Sequence, residues 1–136
     1  MHALTSVFKA LSDRNRLRIV SALLKKDELC ACQLTALIPV TGATASRHMG
    51  VLITSGLVES RKDGRWVYYR LRRDQEDVNG LMAWVEARLK HDPQAERDAA
   101  AVDEILARAS AFVCSPHRSR TTCSGDGADS SQGDVP

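Results

Sequence analysis

No stretch of these 136 residues approaches the ~18 consecutive apolar side chains that a membrane-spanning helix needs. The first residues also lack the apolar core of a signal peptide, so a cytoplasmic protein that makes no membrane contact is expected. Cysteine is scarce, and in a cytoplasmic chain four cysteines do not make a disulfide framework. They are thiols that require another explanation. A large charge of either sign is missing as well, since 19 Lys and Arg against 17 Asp and Glu leave only +2. What is present is an ordinary globular composition, 43% hydrophobic, in a chain sized for one domain with a modest core.

The small net charge conceals an uneven distribution. Residues 1–73 hold 13 Lys and Arg against 5 Asp and Glu, whereas residues 74–136 hold 6 against 12. A basic first half beside an acidic second half points to nucleic acid contacted by the first half only.

Residues 41–71 read as a short helix followed at once by a two-stranded hairpin. Ala45, Met49, Leu52 and Ile53 form one apolar stripe at helical spacing. Thr41 is placed to cap the start, and Ser55-Gly56 supplies the stop. The opposite face holds Ala43, Thr44, Arg47, Gly50 and Val51, with Ser46 and His48 on its flanks. Small residues around one arginine let a helix approach another surface closely. The hairpin turns at Asp63-Gly64, with both expected at positive φ. Arg61, Lys62, Arg65, Arg70, Arg72 and Arg73 decorate it, with Trp66, Tyr68 and Tyr69 between them. Basic residues interleaved with aromatics on a protruding ribbon suit a phosphate backbone. Helix plus basic hairpin predicts a mainly α protein with a β-hairpin wing, a winged helix-turn-helix.

Upstream, Leu4, Val7, Phe8 and Leu11 predict one amphipathic helix. Ser12-Asp13 caps a second, with Leu17, Val20, Leu23 and Leu24 inward and Arg14, Arg16 and Arg18 on more exposed faces. A third runs from Cys30 to Ile38 and ends at Pro39. Third helix, tight turn and fourth helix make the helix-turn-helix, the fourth being the recognition helix. Beyond the wing, Val78, Leu81, Met82, Val85 and Leu89 share a helical face, and Val102, Ile105, Leu106, Ala109 and Val113 repeat the spacing after His91-Asp92-Pro93. These stripes, with that of the first helix, are expected to form a homodimer interface. The implied organisation is a DNA-binding and dimerisation domain over 1–92, a helical extension over 93–114, and a Ser-, Gly- and Asp-rich tail over 115–136 expected to be disordered.

Cys30 and Cys32 lie at the start of the third helix, where the helix dipole is expected to lower thiol pKa values and favour the thiolate that binds soft metals. Two residues apart on a regular helix, the sulfurs would face nearly opposite ways. A chelate therefore needs a first turn that is distorted or unformed.

The segments FKALSDRNRLRIV, ELCACQL and SRHMGVLITSGLVESRKDGRWVYYRL, within residues 4–73, resemble in order and spacing the ArsR/SmtB family of metal-sensing repressors. ELCACQL is similar to the ELCVCDL of its arsenic-responsive members. The resemblance implies a homodimer that binds double-stranded operator DNA and leaves it when As(III) or Sb(III) binds Cys30 and Cys32. It also implies that Thr41, Thr44, Ser46, Arg47 and His48 face the DNA, with the wing around Arg61, Lys62 and Arg65. A third cysteine often present in such members is replaced here by Thr35, so a third donor would be Cys114, Cys123, or a ligand supplied by solvent or a small thiol, with Cys114 favoured over Cys123. The helix after the wing offers only His91 near its end, so no zinc site of the zinc-responsive type is expected. Residues 1–29 also lack the cysteine of the cadmium and lead sensors. Two other readings stay open. The same scaffold could answer cadmium, lead or thiol oxidation. A thiol enzyme is disfavoured because no C-x-x-C motif stands beside a βαβ pattern and no base is nearby.

Overall fold

The computed structural model describes residues 1–112, with side chains to residue 108. Two helices, α1 (His2–Leu11) and α2 (Arg14–Lys25), precede a two-residue strand, β1 (Leu29–Cys30). Helices α3 (Ala31–Leu37) and α4 (Gly42–Thr54) follow, then the hairpin β2 (Val58–Asp63) and β3 (Trp66–Leu71), then α5 (Glu76–Leu89) and α6 (Pro93–Phe112). The expected winged helix-turn-helix is therefore present, with α3 and α4 as its two helices. Among the described residues no helix is long and apolar enough to cross a membrane.

Local chemistry sets the boundaries. Asp13 caps α2 by accepting from the backbone N–H groups of Asn15 and Arg16 at 2.8 and 3.1 Å. Thr41 caps α4 through the Thr44 N–H. Gly56, at φ 86°, ends α4 in the left-handed conformation that a residue with a Cβ rarely adopts. Asp92 caps α6, whose first residue is Pro93, a position where the missing N–H costs nothing.

The core gathers Ile19, Val20, Leu23, Leu29, Leu34, Leu52, Leu57 and Leu71, all essentially removed from water. Each such side chain contributes roughly 1.5–3 kcal/mol of burial. The wing is joined to this core along a three-stranded antiparallel sheet in the order β1-β3-β2. Leu29 pairs with Tyr69 and Cys30 with Tyr68, so the residues that lead into α3 are hydrogen-bonded to the wing.

Several expectations need correction. Cys30 is not the first residue of a helix but the last of β1 and the N-cap of α3. The hairpin turns at Gly64-Arg65, because Asp63 still pairs with Trp66 and Gly64 at φ 66° takes the first central position. A positive φ at the first central position is what the primed turns that match the twist of the strands require. Ile53 is exposed, lying about 80° round the helix from Ala45 at ~100° per residue. Val78, Met82, Val85 and Val102 pack into the chain's own core rather than forming a free stripe, because α5 and α6 fold back onto α2 and α6 also onto α3. Among the described residues, the large apolar side chains left exposed are Leu4 and Phe8 on α1, Trp84 on α5, Ile53 and Met1.

Arg18 is also not on an exposed face. It donates from Nε and Nη2 to the two carboxylate oxygens of Asp98 on α6, both at 2.9 Å, and Nη2 also reaches the Leu37 carbonyl at 3.2 Å. Gln94 Nε2 completes the site on Asp98 at 2.9 Å. One guanidinium thus ties α2 and α6 to the C-terminal end of α3. The side chain of Ala109, all of Val113, Cys114 and Cys123, and the tail over 115–136 lie outside what is described.

Candidate functional site

The recognition helix presents Ala43, Ser46, Arg47 and Gly50 to solvent, while Thr44, His48 and Val51 are half-buried. Arg47 is the one long side chain in that exposed group, as an approach surface around a single arginine requires. Thr41 and Thr44 hydrogen-bond to each other at 3.1 Å, so both serve the helix start. His48 turns sideways, its Nδ1 3.1 Å from Arg16 Nη1. The same guanidinium donates to the carbonyls of Ala10 and Lys9, which close the end of α1. His48 is thereby held in a packing contact between α4 and the α1–α2 junction.

The wing is less basic in effect than its composition. Arg61 donates from Nε and Nη2 to Glu28, both at 2.8 Å, and its guanidinium lies 4.6 Å above the Tyr68 ring. Arg70 pairs with Glu59, and Arg72 with Asp74. Lys62, Arg65 and Arg73 are exposed. The Arg61 guanidinium holds the Glu28 carboxyl below the usual carboxylate range. The interleaved basic pattern was legible in the chain. Its neutralising partners were not, because Glu28 stands 33 residues from Arg61.

The two sulfurs of Cys30 and Cys32 face each other at 2.8 Å. The strand conformation of Cys30 removes the geometric conflict a regular helix would impose: its φ of −84° and ψ of 162° swing the sulfur over the first turn of α3. There it occupies the acceptor position of a capping box, while Gln33 Oε1 accepts from the Cys30 N–H at 2.8 Å. Two soft sulfur donors on one side of the N-cap can serve one ion once they move slightly apart, so the residue types present fit a thiophilic ligand. Cys30 is only 2% exposed. Burial pushes its thiol pKa up, and the backbone N–H groups around it only partly oppose this. The expected lowering by the helix start is therefore overturned by desolvation. Among the described residues no three metal-binding side chains cluster together.

Comparison with known proteins gives the setting. The model of the bacterial regulatory proteins of the arsR family matches residues 13–60, from the α2 cap to the third residue of β2. A cadmium resistance transcriptional regulatory protein of Listeria innocua is 46% identical over 70 residues, which are 52% of this chain and 59% of that protein. The chain thus spans less than two thirds of that relative's length. The arsenical resistance operon repressor of Bacillus subtilis is 38% identical over 76 residues, 56% of this chain and 70% of the repressor. Among solved structures, a homodimeric winged helix-turn-helix DNA-binding domain from Mycobacterium bovis, described as a possible ArsR-family transcriptional regulator, superposes with a TM-score of 0.56. It is 30% identical, over 68% of this chain and 82% of that domain. These similar proteins are regulators of transcription rather than enzymes.

Proposed function

Because the chain belongs to the ArsR family of bacterial regulatory proteins, we propose that this transcriptional repressor binds operator DNA as a homodimer and releases it when As(III) or Sb(III) bridges Cys30 and Cys32. The carrying observation is the 2.8 Å between the two sulfurs at the N-cap of α3. A ligand there acts on the first helix of the helix-turn-helix. Residues 1–92 form the DNA-binding and dimerisation unit, 93–114 a helical extension and 115–136 a tail, in a cytoplasmic protein. The dimer face includes the exposed apolar side chains Leu4 and Phe8 of α1 and Trp84 of α5.

Arsenous acid suits a buried pair. Each S–H proton leaves with an arsenic hydroxide as water, an As–S bond replaces an As–O bond, and the product carries no charge. A cadmium ion brings no base: its thiols must lose protons to solvent, and a tris-thiolate complex is anionic. Since one relative is named for cadmium resistance, cadmium is the second reading. In weakly buffered solution, arsenite uptake is expected to release almost no protons and to vary little around neutral pH. Cadmium binding should release about one proton per thiol and strengthen as pH rises, because Cys30 resists ionisation. Operator release by cadmium at lower concentration than by arsenite would favour the second reading.

The third donor proposed is Cys114. It follows the described end of α6, the helix that packs on α3, by two residues, whereas Cys123 follows it by eleven. A chain ending at Val113 should need more arsenite to leave DNA. An unchanged requirement would make both C-terminal cysteines bystanders.

On the DNA side, Thr41, Thr44, Ser46 and Arg47 are assigned to the groove-facing side of α4, and Lys62 and Arg65 to the wing, while His48 and Arg61, held by Arg16 and Glu28, support that surface from within. Arg47→Ala should weaken specific binding by roughly 1–3 kcal/mol, as loss of a base-edge contact does. Arg65→Ala should weaken all sequences about equally. Unchanged operator affinity of Arg47→Ala in a gel-shift titration would mean that α4 is turned differently on the duplex.

A further inference from the structure

Cys30, Tyr68 and Arg61 stand in one row across the sheet. Cys30 of β1 is the register partner of Tyr68 of β3, which is the partner of Arg61 of β2. Directly opposed residues share a face, so these three side chains lie side by side. The row is closed from outside: the Arg61 guanidinium covers the Tyr68 ring at 4.6 Å and is gripped through two nitrogens by Glu28, two residues before Cys30. Strand β1 is only two residues long, and its two register partners both belong to the wing. So short a strand depends on side-chain contacts to keep its place. The Glu28–Arg61–Tyr68 stack is positioned to supply them.

We propose that Glu28 and Arg61 are positioning residues that carry the state of the sulfur pair to the wing, so that ligand binding at Cys30 and Cys32 displaces the wing as well as α3. A ligand held by both sulfurs must part them from 2.8 Å to make room for the ion, and that re-aims Cys30. Cys30 cannot move without shifting β1 against Tyr68, and Tyr68 sits under the guanidinium that Glu28 holds. In this role Arg61 is engaged within the protein and does not neutralise a phosphate. The inference rests on Cys30 and Cys32 being the ligand site.

The test measures operator affinity of the full chain with and without saturating sodium arsenite, for wild type, Glu28→Gln, Arg61→Lys and Arg61→Ala, with arsenite uptake followed by thiolate-to-arsenic absorbance. Glu28 and Arg61 are both at the surface, and circular dichroism checks that each variant is folded. Glu28→Gln should take up arsenite with wild-type stoichiometry, yet the factor by which arsenite weakens DNA binding should fall by about fivefold. Arg61→Lys should lose as much, because lysine keeps the charge but neither the planar two-pronged grip nor the stack. Arg61→Ala should leave the slope of log affinity against log salt unchanged, whereas loss of a phosphate contact reduces it by about one. A Glu28→Gln chain with the wild-type factor overturns the inference alone. So does an Arg61→Ala chain with a reduced slope that Arg61→Lys restores. A wild-type chain that takes up no arsenite overturns the ligand assignment, and this inference with it.

Discussion

Cys30→Ser and Cys32→Ser should each abolish release of operator DNA by arsenite while leaving DNA binding itself nearly intact. The fold tolerates the first change because Cys30 is an N-cap, and serine is among the preferred residues there. Its hydroxyl can accept the Gln33 N–H that the sulfur now faces, so the buried oxygen is satisfied. What is lost is the soft donor. To move a dimer from almost wholly DNA-competent to almost wholly incompetent, a ligand must favour the second state by about 5.5 kcal/mol. A chelate of two or three sulfurs is the only contact proposed here strong enough to supply that. Linkage also requires operator DNA to weaken arsenite binding by the factor through which arsenite weakens operator binding. Equal arsenite affinity in the presence and absence of DNA would defeat this mechanism, whatever the serine variants do.

The second large effect concerns stability. Asp98 is 3% exposed and Arg18 is held with its side chain 16% exposed, so Asp98→Ala strands a largely buried guanidinium. Breaking one side of such a pair costs about 3 kcal/mol, the lower end of the usual range because Arg18 keeps some water. For a domain of this size that lowers Tm by about 10 °C. Asp98→Asn should cost less, since the amide still accepts from one nitrogen of Arg18. Replacing both residues together by leucine should restore part of the loss, as paired apolar groups need no partner. If Asp98→Ala melts within a degree or two of wild type, the pair is not what holds α6 on the helix-turn-helix.

The architecture was legible where the chain speaks locally. Thr41, Ser55-Gly56 and the turn signal at Asp63-Gly64 act within a few residues, and the helix and hairpin they predict are present. That the face around Arg47 is exposed could be read in the same way. Partnerships between distant segments were not visible. A strand of two residues, Leu29-Cys30, has no periodicity to detect, yet it decides the sulfur geometry and links it to the wing. Arg18 looked like a solvent residue until Asp98, 80 positions away, was packed against it. The stripes on α5 and α6 were read correctly as apolar, but whether such a stripe meets its own core or another protomer depends on where the helix docks. The thiol acidity failed for a related reason: a helix start is visible in sequence, whereas the burial that outweighs it is not.

Seen mechanically, α3 is a lever. Its far end is pinned where Arg18 holds the Leu37 carbonyl, and the ligand proposed for Cys30 and Cys32 would act at the other end. Seven residues give it an arm of about 10 Å. A displacement of ~1 Å at the sulfur turns such an arm through about 6°. The 13 residues of α4, joined to the pivot by a short turn, extend for about 20 Å. If α4 follows the same rotation, its far end sweeps through ~2 Å, more than a hydrogen bond to a base edge can stretch. The stiffness of the pivot then sets the gain of the sensor. A variant that loosens Asp98 without unfolding the chain should bind arsenite as well as before and transmit less of it.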